Sequence, residues 1–158
     1  MLLREADLPA LRHDNKGKRI VLAVGAFDLF HAGHMDYLRW ARWVGGAGSL
    51  VVALVRTDER VAGQKERGRP IIQEDERAYI VDNSRPVDFT FLGTETALHL
   101  KRSMVAASLL KPDVLAMGDG WRSEEEQWRS FMPKLEIATA PFPHRQSTTR
   151  IIHRIRSL

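Results

Sequence analysis

Apolar runs without charge alternate along the chain with segments whose apolar residues recur at helical spacing. Ile20 to Val24 is one such run, rich in β-branched residues, which is the pattern of a strand buried on both faces of a parallel sheet. Gly25 ends this run, the residues from Met35 to Trp43 have helical spacing, and Leu50 to Val55 forms a second apolar run. Strand, helix and strand within about 35 residues predict one right-handed βαβ unit.

The rest of the chain continues this alternation. Three further apolar runs predict strands, at 87–92, 114–117 and 135–139. Further helices are expected over 4–12, from 74, over 96–110, over 123–133 and from 147. We therefore expect one Rossmann-like α/β domain over 1–158, a five-stranded parallel sheet with helices on both faces, made of a lead-in (1–19) and a core (20–157).

Composition narrows the class of protein. The chain has 158 residues and is 44% hydrophobic, which suits one domain with a sizeable core. It has no cysteine, which excludes disulfides, thiol catalysis and metal sites built on cysteine. A chain without cysteine is consistent with a reducing cytoplasm. Its apolar runs are shorter than a membrane span, and its start lacks the order of a signal peptide. We expect a cytoplasmic protein without a membrane partner.

The chain is mildly basic. Its formal charge of +4 suits either nucleic acid or a polyphosphate substrate. Lys and Arg are spread along the sequence, with modest clusters at 16–19, 65–69 and 150–156 and no interleaved aromatic residues. A surface for stacking single-stranded bases needs such aromatic residues, so no nucleic-acid partner is expected.

The loop between the first strand and the first core helix carries the candidate chemistry. It contains Gly25, Asp28, His31, Gly33 and His34. A helix start presents unpaired N–H groups and the positive end of the helix dipole, and glycine lets backbone approach a ligand closely. Two imidazoles at this point, three residues apart, can donate to charge that develops on a triphosphate under attack.

Strand, Gly, Phe-Asp, His-Ala-Gly-His and helix in this order resemble the HIGH-motif nucleotidyltransferase superfamily. This is the cytidylyltransferase-like group, which shares its nucleotide fold with class I aminoacyl-tRNA synthetases. Ser147-Thr148-Thr149, followed by an apolar pair, resembles its second signature, so the resemblance covers about 20–157. It implies that His31 and His34 contact the phosphates and stabilise the transition state. It also implies nucleotide contacts from Gly25, Ala26, Phe27, Asp28, Gly33, Met117, Gly118, Asp119, Trp121, Ser147, Thr148 and Thr149.

The polar segment 57–70 predicts a loop that closes over the site. Its Lys65 precedes Gly-Arg-Pro at the spacing where heptose-phosphate adenylyltransferases carry a phosphate-binding lysine, which implies a catalytic role. Three further residues are expected on the acceptor side. Asp58 follows the second strand, and Arg77 matches a Glu-Arg pattern of the same families. Arg145 lies in the segment before Ser147, where cytidylyltransferases for glycerol, choline or ethanolamine phosphates carry Arg-Thr-Glu-Gly-Ile, and it can supply the arginine charge that this segment otherwise lacks. A surface salt bridge is the alternative reading for Arg77.

The resemblance implies transfer of a nucleoside monophosphate from ATP or CTP to a phosphorylated sugar or polyol, with Mg²⁺ on the triphosphate and release of pyrophosphate. Gly-Arg-Pro and Glu-Arg favour ATP. Met-Gly-Asp-Gly-Trp at 117–121 resembles glycerol-phosphate cytidylyltransferases and favours CTP. A flavin-nucleotide adenylyltransferase and a non-catalytic nucleotide or RNA binder remain alternatives. No metal-ligating cluster is expected, and relatives are often homodimers.

Overall fold

The computed structural model describes residues 1–93, 100–118, 123–141 and 146–158. Its strands form a single, fully parallel sheet. They are β1 (Leu2–Leu3), β2 (Ile20–Gly25), β3 (Leu50–Val55), β4 (Phe89–Leu92), β5 (Val114–Met117) and β6 (Glu136–Thr139). The helices are α1 (Leu8–Asp14), α2 (Ala32–Gly45), α3 (Asp58–Ala62), α4 (Glu74–Asp82), α5 (Leu100–Leu110), α6 (Glu125–Phe131) and α7 (Thr148–Arg156).

The order of strands across the sheet is β1-β4-β3-β2-β5-β6. The chain therefore builds outward from β2 through β3 to β4, then returns to the other side of β2 and continues to β5 and β6. The boundary between β2 and β5 is a topological switch point. In open parallel sheets, ligands bind in the crevice that opens at the carboxyl ends of the strands at such a point. The carboxyl ends of β2 and β5, at Gly25 and Met117, lie at this point.

Helices cover both faces of the sheet. On one face, α1, α5 and α6 contribute Leu8, Met104, Leu110 and Trp128 to a buried apolar cluster. On the other face, α2 and α4 contribute a second buried cluster, which includes Tyr37, Leu38, Trp40, Ala41, Ala78 and Val81. The charge-free sequence of β2 follows from this arrangement, because all six of its residues are buried.

The predicted α/β class, the parallel sheet and the helices on both faces are confirmed. The sheet has six strands rather than five, because Leu2 and Leu3 pair with Thr90 and Phe91 at its edge. A strand of two residues is too short to show an alternating pattern. The predicted lead-in helix is present: a 3-10 helix over Glu5–Asp7 runs directly into α1. Pro9 lies in the first turn of α1, where no backbone donor is lost.

The segment 57–70 is not a loop throughout. Asp58–Ala62 forms the short helix α3, and the Thr57 side chain caps it by accepting from the backbone N–H of Arg60. Because α3 is short and begins with charged residues, it has no apolar spacing that would predict a helix. No helix within the described ranges combines the length and apolar character that crossing a bilayer requires.

Candidate active site

A cavity of about 210 Å³ opens at the carboxyl end of β2, at the switch point of the sheet. Five separate parts of the chain line it: the end of β2 with its following loop, the first turns of α2, the segment 65–69, Gly118 just after β5, and the start of α7. Most of the residues predicted from the sequence meet here. They are Gly25, Ala26, Phe27, Asp28, His31, Gly33, His34, Lys65, Gly118, Ser147, Thr148 and Thr149.

The remaining predicted residues do not line this cavity. Met117 is 4% exposed and packs within the apolar cluster of α1, α5 and α6. Asp58 and Arg77 lie behind the cavity wall, where they contact each other. Asp119, Trp121 and Arg145 fall outside the described residues, so the base-side and acceptor-side roles predicted for them stay predictions.

His31 and His34 form a stacked pair at the start of α2. Their ring centroids are 3.8 Å apart and the ring planes differ by 14°. His31 is the N-cap residue, and its Nδ1 accepts from the backbone N–H of His34 at 3.3 Å. An accepting Nδ1 carries no proton, so the neutral ring of His31 has its N–H at Nε2. That N–H is a donor at the cavity side of α7, 3.5 Å from Thr148 Oγ1.

Aromatic packing holds this pair in place. Phe27 is 1% exposed, adopts a positive φ of 54°, and meets His34 edge to face at a centroid distance of 5.5 Å. Its ring lies only 2.8 Å from where a Cβ on Gly25 would be, which explains the glycine at the end of β2. Tyr37 sits behind Phe27 and donates its hydroxyl to the Ala116 carbonyl at 2.7 Å. Burial raises the pKa of Tyr37, so the hydroxyl stays a donor.

The start of α7 forms the facing part of the cavity. Ser147 caps the helix as predicted, with its hydroxyl accepting from the backbone N–H of Arg150. Thr148 donates its hydroxyl to the carbonyl oxygen of Asp28 at 2.7 Å, which ties α7 to the loop after β2. Two helix N-termini therefore open on one cavity, and both favour an anion there.

Asp28 is the junction between three of these parts. Its side chain is 1% exposed, and its carboxylate accepts from Arg69 Nε at 2.7 Å and from the backbone N–H groups of Ile71 and Ile72 at 3.0 Å. Burial opposes ionisation, but the two backbone donors and the guanidinium outweigh it and lower the pKa of Asp28. The carboxylate is thus a fixed anion that positions the segment 69–72. Direct nucleotide contact by Asp28 stays a prediction.

Lys65 reaches the cavity from the segment that follows α3. Partial burial lowers the pKa of its ammonium group, the positive charges of Arg69 and Arg56 lower it further, and Glu124 opposes them. Arg56 and Glu124 form a buried ion pair at 2.8 Å. Gln64, next to Lys65, accepts from Arg56 Nη1 at 2.9 Å. The backbone that carries Lys65 is therefore fastened to the sheet on one side and to α6 on the other.

Arg77 supports the cavity from behind. Its side chain is fully buried and donates to the backbone carbonyls of Ala26, Ile72 and Arg56. It also pairs with Asp58 at 2.6 Å. These bonds join the loop after β2, the end of β3 and the start of α4. The alternative, a surface salt bridge, does not describe these surroundings, because the Arg77 side chain is fully buried. Acceptor binding by Arg77 and by Asp58, which is 39% exposed, stays a prediction.

Two polar residues of the cavity were not predicted. Arg69 lines the wall beside Lys65, and Gln146 lies at the start of α7, where its Oε1 accepts from the N–H of Ser147. The sequence did hold a signal for Arg69, because it is the arginine of Gly-Arg-Pro.

The described residues contain no group of three or more His, Asp or Glu side chains placed to hold a metal ion. Asp28 is the carboxylate on the cavity wall, and protein donors already occupy both of its oxygens. This donor set fits an ion carried in by phosphate oxygens and water, which is how Mg²⁺ commonly enters nucleotide sites.

Comparison with known proteins agrees with this geometry. Residues 22–157 match the family model described as cytidylyltransferase-like. The chain is 35% identical over 145 residues to the bifunctional protein HldE of Desulfatibacillum aliphaticivorans, covering 90% of this chain but 28% of that protein. It is also 35% identical over 144 residues to the FAD synthase of Korarchaeum cryptofilum, covering 88% of this chain and 92% of that enzyme.

Solved structures of other proteins share the fold of this chain. The lipopolysaccharide core biosynthesis protein from Thermoplasma volcanium superposes with a TM-score of 0.68 at 25% identity, covering 80% of this chain and 99% of that chain. Pantoate-beta-alanine ligase from Francisella tularensis shares the fold, with a TM-score of 0.64 at 13% identity over 100% of this chain and 78% of that chain. The chain spans less than a third of the length of its bifunctional relative. The superfamily resemblance drawn from the two end motifs is confirmed, and the chain belongs to the cytidylyltransferase-like family.

Proposed function

We propose that the chain is a nucleotidyltransferase that moves a nucleoside monophosphate from a nucleoside triphosphate onto a small phosphorylated acceptor. An oxygen of the acceptor phosphate attacks the α-phosphorus in line. The bond from the α-phosphorus to the oxygen bridging to the β-phosphorus breaks, and pyrophosphate leaves with that oxygen. One observation carries this proposal: two helix starts, the stacked His31 and His34, and Lys65 converge on one cavity.

The chemistry needs positioning and charge neutralisation rather than a covalent nucleophile. The His31 Nε2–H and the N–H groups at the start of α7 are fixed donors facing the cavity, and fixed donors stabilise charge that grows in the transition state. Lys65 supplies a further positive charge at the same cavity. Mg²⁺, bound to the triphosphate, would neutralise further charge on its oxygens.

ATP is the donor that the comparisons favour. FAD contains an adenylyl group, so likeness to an FAD synthase over 92% of that enzyme supports an adenylyl donor. The residues that favour CTP in the sequence, Asp119 and Trp121, lie outside the described part of the chain. For the acceptor, a sugar or polyol phosphate remains our main proposal.

Transfer of an adenylyl group to a flavin phosphate is the second candidate. It is favoured by the same full-length likeness, because the bifunctional relatives match only over 28% of their own length. The two candidates share the donor and the reaction and differ only in the acceptor. A non-catalytic nucleotide or RNA binder is a third candidate, which would bind in a strongly salt-dependent way and release no pyrophosphate.

The deciding experiment measures pyrophosphate release from ATP and from CTP with Mg²⁺ against a panel of heptose, glycerol, ribitol, choline and flavin phosphates. Release with one pair identifies base and acceptor together. His34→Ala and Lys65→Ala should each lower turnover by orders of magnitude while leaving the fold intact, because both side chains lie at the ligand edge of the sheet. His153→Ala, an exposed histidine of α7, is the matched control. Bound nucleotide without release for any pair would contradict the proposal.

We also propose that the chain acts as a homodimer in the cytoplasm. The support is two exposed aromatic side chains on the helices that cover one face of the sheet: Trp43 at the end of α2 is 76% exposed and Tyr79 on α4 is 70% exposed. Light scattering on the purified protein tests the dimer, and Trp43→Ser with Tyr79→Ser should shift it toward monomer. Cell fractionation tests the location.

A further inference from the structure

Arg69 is a second cation on the cavity wall, four residues after Lys65. We infer that Arg69 binds a phosphate group in this cavity, with its guanidinium set in position by the carboxylate of Asp28. The identity of that phosphate rests on the proposed function, whereas the binding itself does not. Arg69 is a residue to which neither the sequence analysis nor the proposed mechanism gave a role.

The geometry leaves one edge of the guanidinium for a ligand. Arg69 Nε donates to Asp28 Oδ2 at 2.7 Å, and the side chain is 9% exposed. Within the described ranges, its Nη1 and Nη2 donate to no protein acceptor at hydrogen-bond distance. A guanidinium is planar and rigid, so holding it at Nε also fixes the direction of its outer N–H groups. Those groups match the spacing of two phosphate oxygens.

The support of Arg69 is itself rigid. The carboxylate of Asp28 also accepts from the backbone N–H groups of Ile71 and Ile72, which follow Arg69 in the chain. Asp28 is also held through its backbone, because its carbonyl oxygen accepts from the hydroxyl of Thr148. Arg69 is therefore positioned in the absence of ligand, which reduces the entropy lost when a phosphate binds.

Charge points to the same role. Arg69 and Lys65 are near enough that the guanidinium contributes to lowering the pKa of the ammonium group, after burial. The negative charge of Asp28 offsets Arg69 alone, which leaves the charge of Lys65 and two helix N-termini facing the cavity. Two cations that line the same cavity are both stabilised by an anion that contacts each of them. A phosphate group has the charge and the number of oxygens to do so.

Two phosphates enter the proposed reaction, one on the nucleotide and one on the acceptor, and the test separates them. Arg69→Lys keeps the positive charge beside Asp28 but loses the planar fork. Arg67→Lys makes the same change at an exposed arginine of the same segment and is the matched control. Binding of ATP and of inorganic triphosphate, each with Mg²⁺, is measured by calorimetry. KM is then measured for whichever acceptor in the panel supports turnover.

If Arg69→Lys binds both ATP and triphosphate about tenfold or more weakly than the wild-type protein does, Arg69 is assigned to the nucleotide phosphates. Unchanged binding of both, with an acceptor KM raised by about tenfold, assigns it to the acceptor phosphate. Either result supports the inference. Values within twofold of wild type and of Arg67→Lys for all three ligands would overturn it.

Two controls distinguish a loss of phosphate binding from a loss of folding and from failure of the proposed function. The double variant Asp28→Asn with Arg69→Gln replaces the charged pair by an amide pair, and it takes the place of Arg69→Lys if that protein does not fold. The thermal midpoint of each variant shows which proteins are folded. If the wild-type protein binds ATP but releases no pyrophosphate with any acceptor, the proposed function fails, and the calorimetry still decides the role of Arg69.

Discussion

The carbonyl oxygen of Gln146 lies in the space that a Cβ atom on Gly33 would occupy. The two residues belong to the two halves of the cavity, one in the first turn of α2 and one just before α7. Their contact sets how closely the two helix starts approach, and therefore how wide the anion site is between them.

Gly33→Ala should separate these helix starts. Because the added methyl group meets backbone, the chain from Gln146 to Thr149 must move, and a displacement of about 1 Å at a catalytic site costs about 100-fold in rate. We expect kcat/KM to fall by about this factor, with a loss of about 1 to 3 kcal/mol in the free energy of unfolding. Ala32→Ser, at the exposed neighbouring position, should change neither quantity. Normal kinetics in Gly33→Ala would show that the contact does not set the site.

The lowered pKa of Lys65 predicts the pH dependence of turnover. In the proposed reaction the ammonium form of Lys65 carries the charge that neutralises phosphate. A lowered pKa means that this form is lost at a lower pH than for a free lysine, whose pKa is 10.5. Turnover should therefore fall as the pH rises through that lowered value. Lys65→Arg keeps its charge throughout, so its rate profile should lack this alkaline decline. A decline of the same position and size in both proteins would assign it to another group.

Asp28→Asn should destabilise the protein. The folded-state pKa of Asp28 lies below its unfolded value, so its stabilisation is present above the unfolded pKa and is lost as the pH falls through the folded pKa. The asparagine leaves Arg69 without its charged partner, at a cost of about 3 kcal/mol near neutral pH. Chemical denaturation between pH 7 and pH 3 should show the gap between wild type and variant narrowing toward acid. Asp75→Asn, an exposed acid of α4, provides the comparison, and an equal effect there would contradict the assignment.

Thr148→Val should loosen α7 from the loop after β2. The valine has a similar shape but leaves the buried carbonyl oxygen of Asp28 without its donor, which costs about 1 to 3 kcal/mol. Thr148→Ser keeps the hydroxyl and should restore most of the lost stability and turnover. Thermal unfolding of both variants measures the change in stability, and steady-state kinetics measures the change in turnover. Failure of the serine to improve on the valine would mean that the methyl group, not the hydroxyl, matters.

The residues that sequence reasoning placed correctly belong to continuous segments. The strand-to-helix passage from Ile20 to Trp43 and the Ser147 cap each depend on neighbours within a few positions, so local patterns reveal them. The structure brings twelve of the predicted side chains or backbone positions to one cavity for a related reason. Loops that end parallel strands share one edge of the sheet.

What the sequence did not reveal depends on partners far away in the chain. Arg69 meets Asp28 across 41 positions, and Arg77 meets the carbonyl of Ala26 across 51. In the sequence each is one arginine among charged neighbours, which is the ordinary composition of a solvated surface. Only tertiary contact distinguishes a guanidinium that holds three backbone segments together from one that faces water. The two-residue strand β1 was missed because its identity depends wholly on pairing with β4.

The hydrogen bond from Thr148 to Asp28 joins residues 120 positions apart. During synthesis the sheet strands, both histidines and Lys65 all emerge before the segment that closes the cavity. A nascent chain can therefore form most of its core while one side of the cavity is still missing, since domains acquire their long-range contacts only when both partners are available. The cavity is therefore complete only after the segment that begins α7 has left the ribosome.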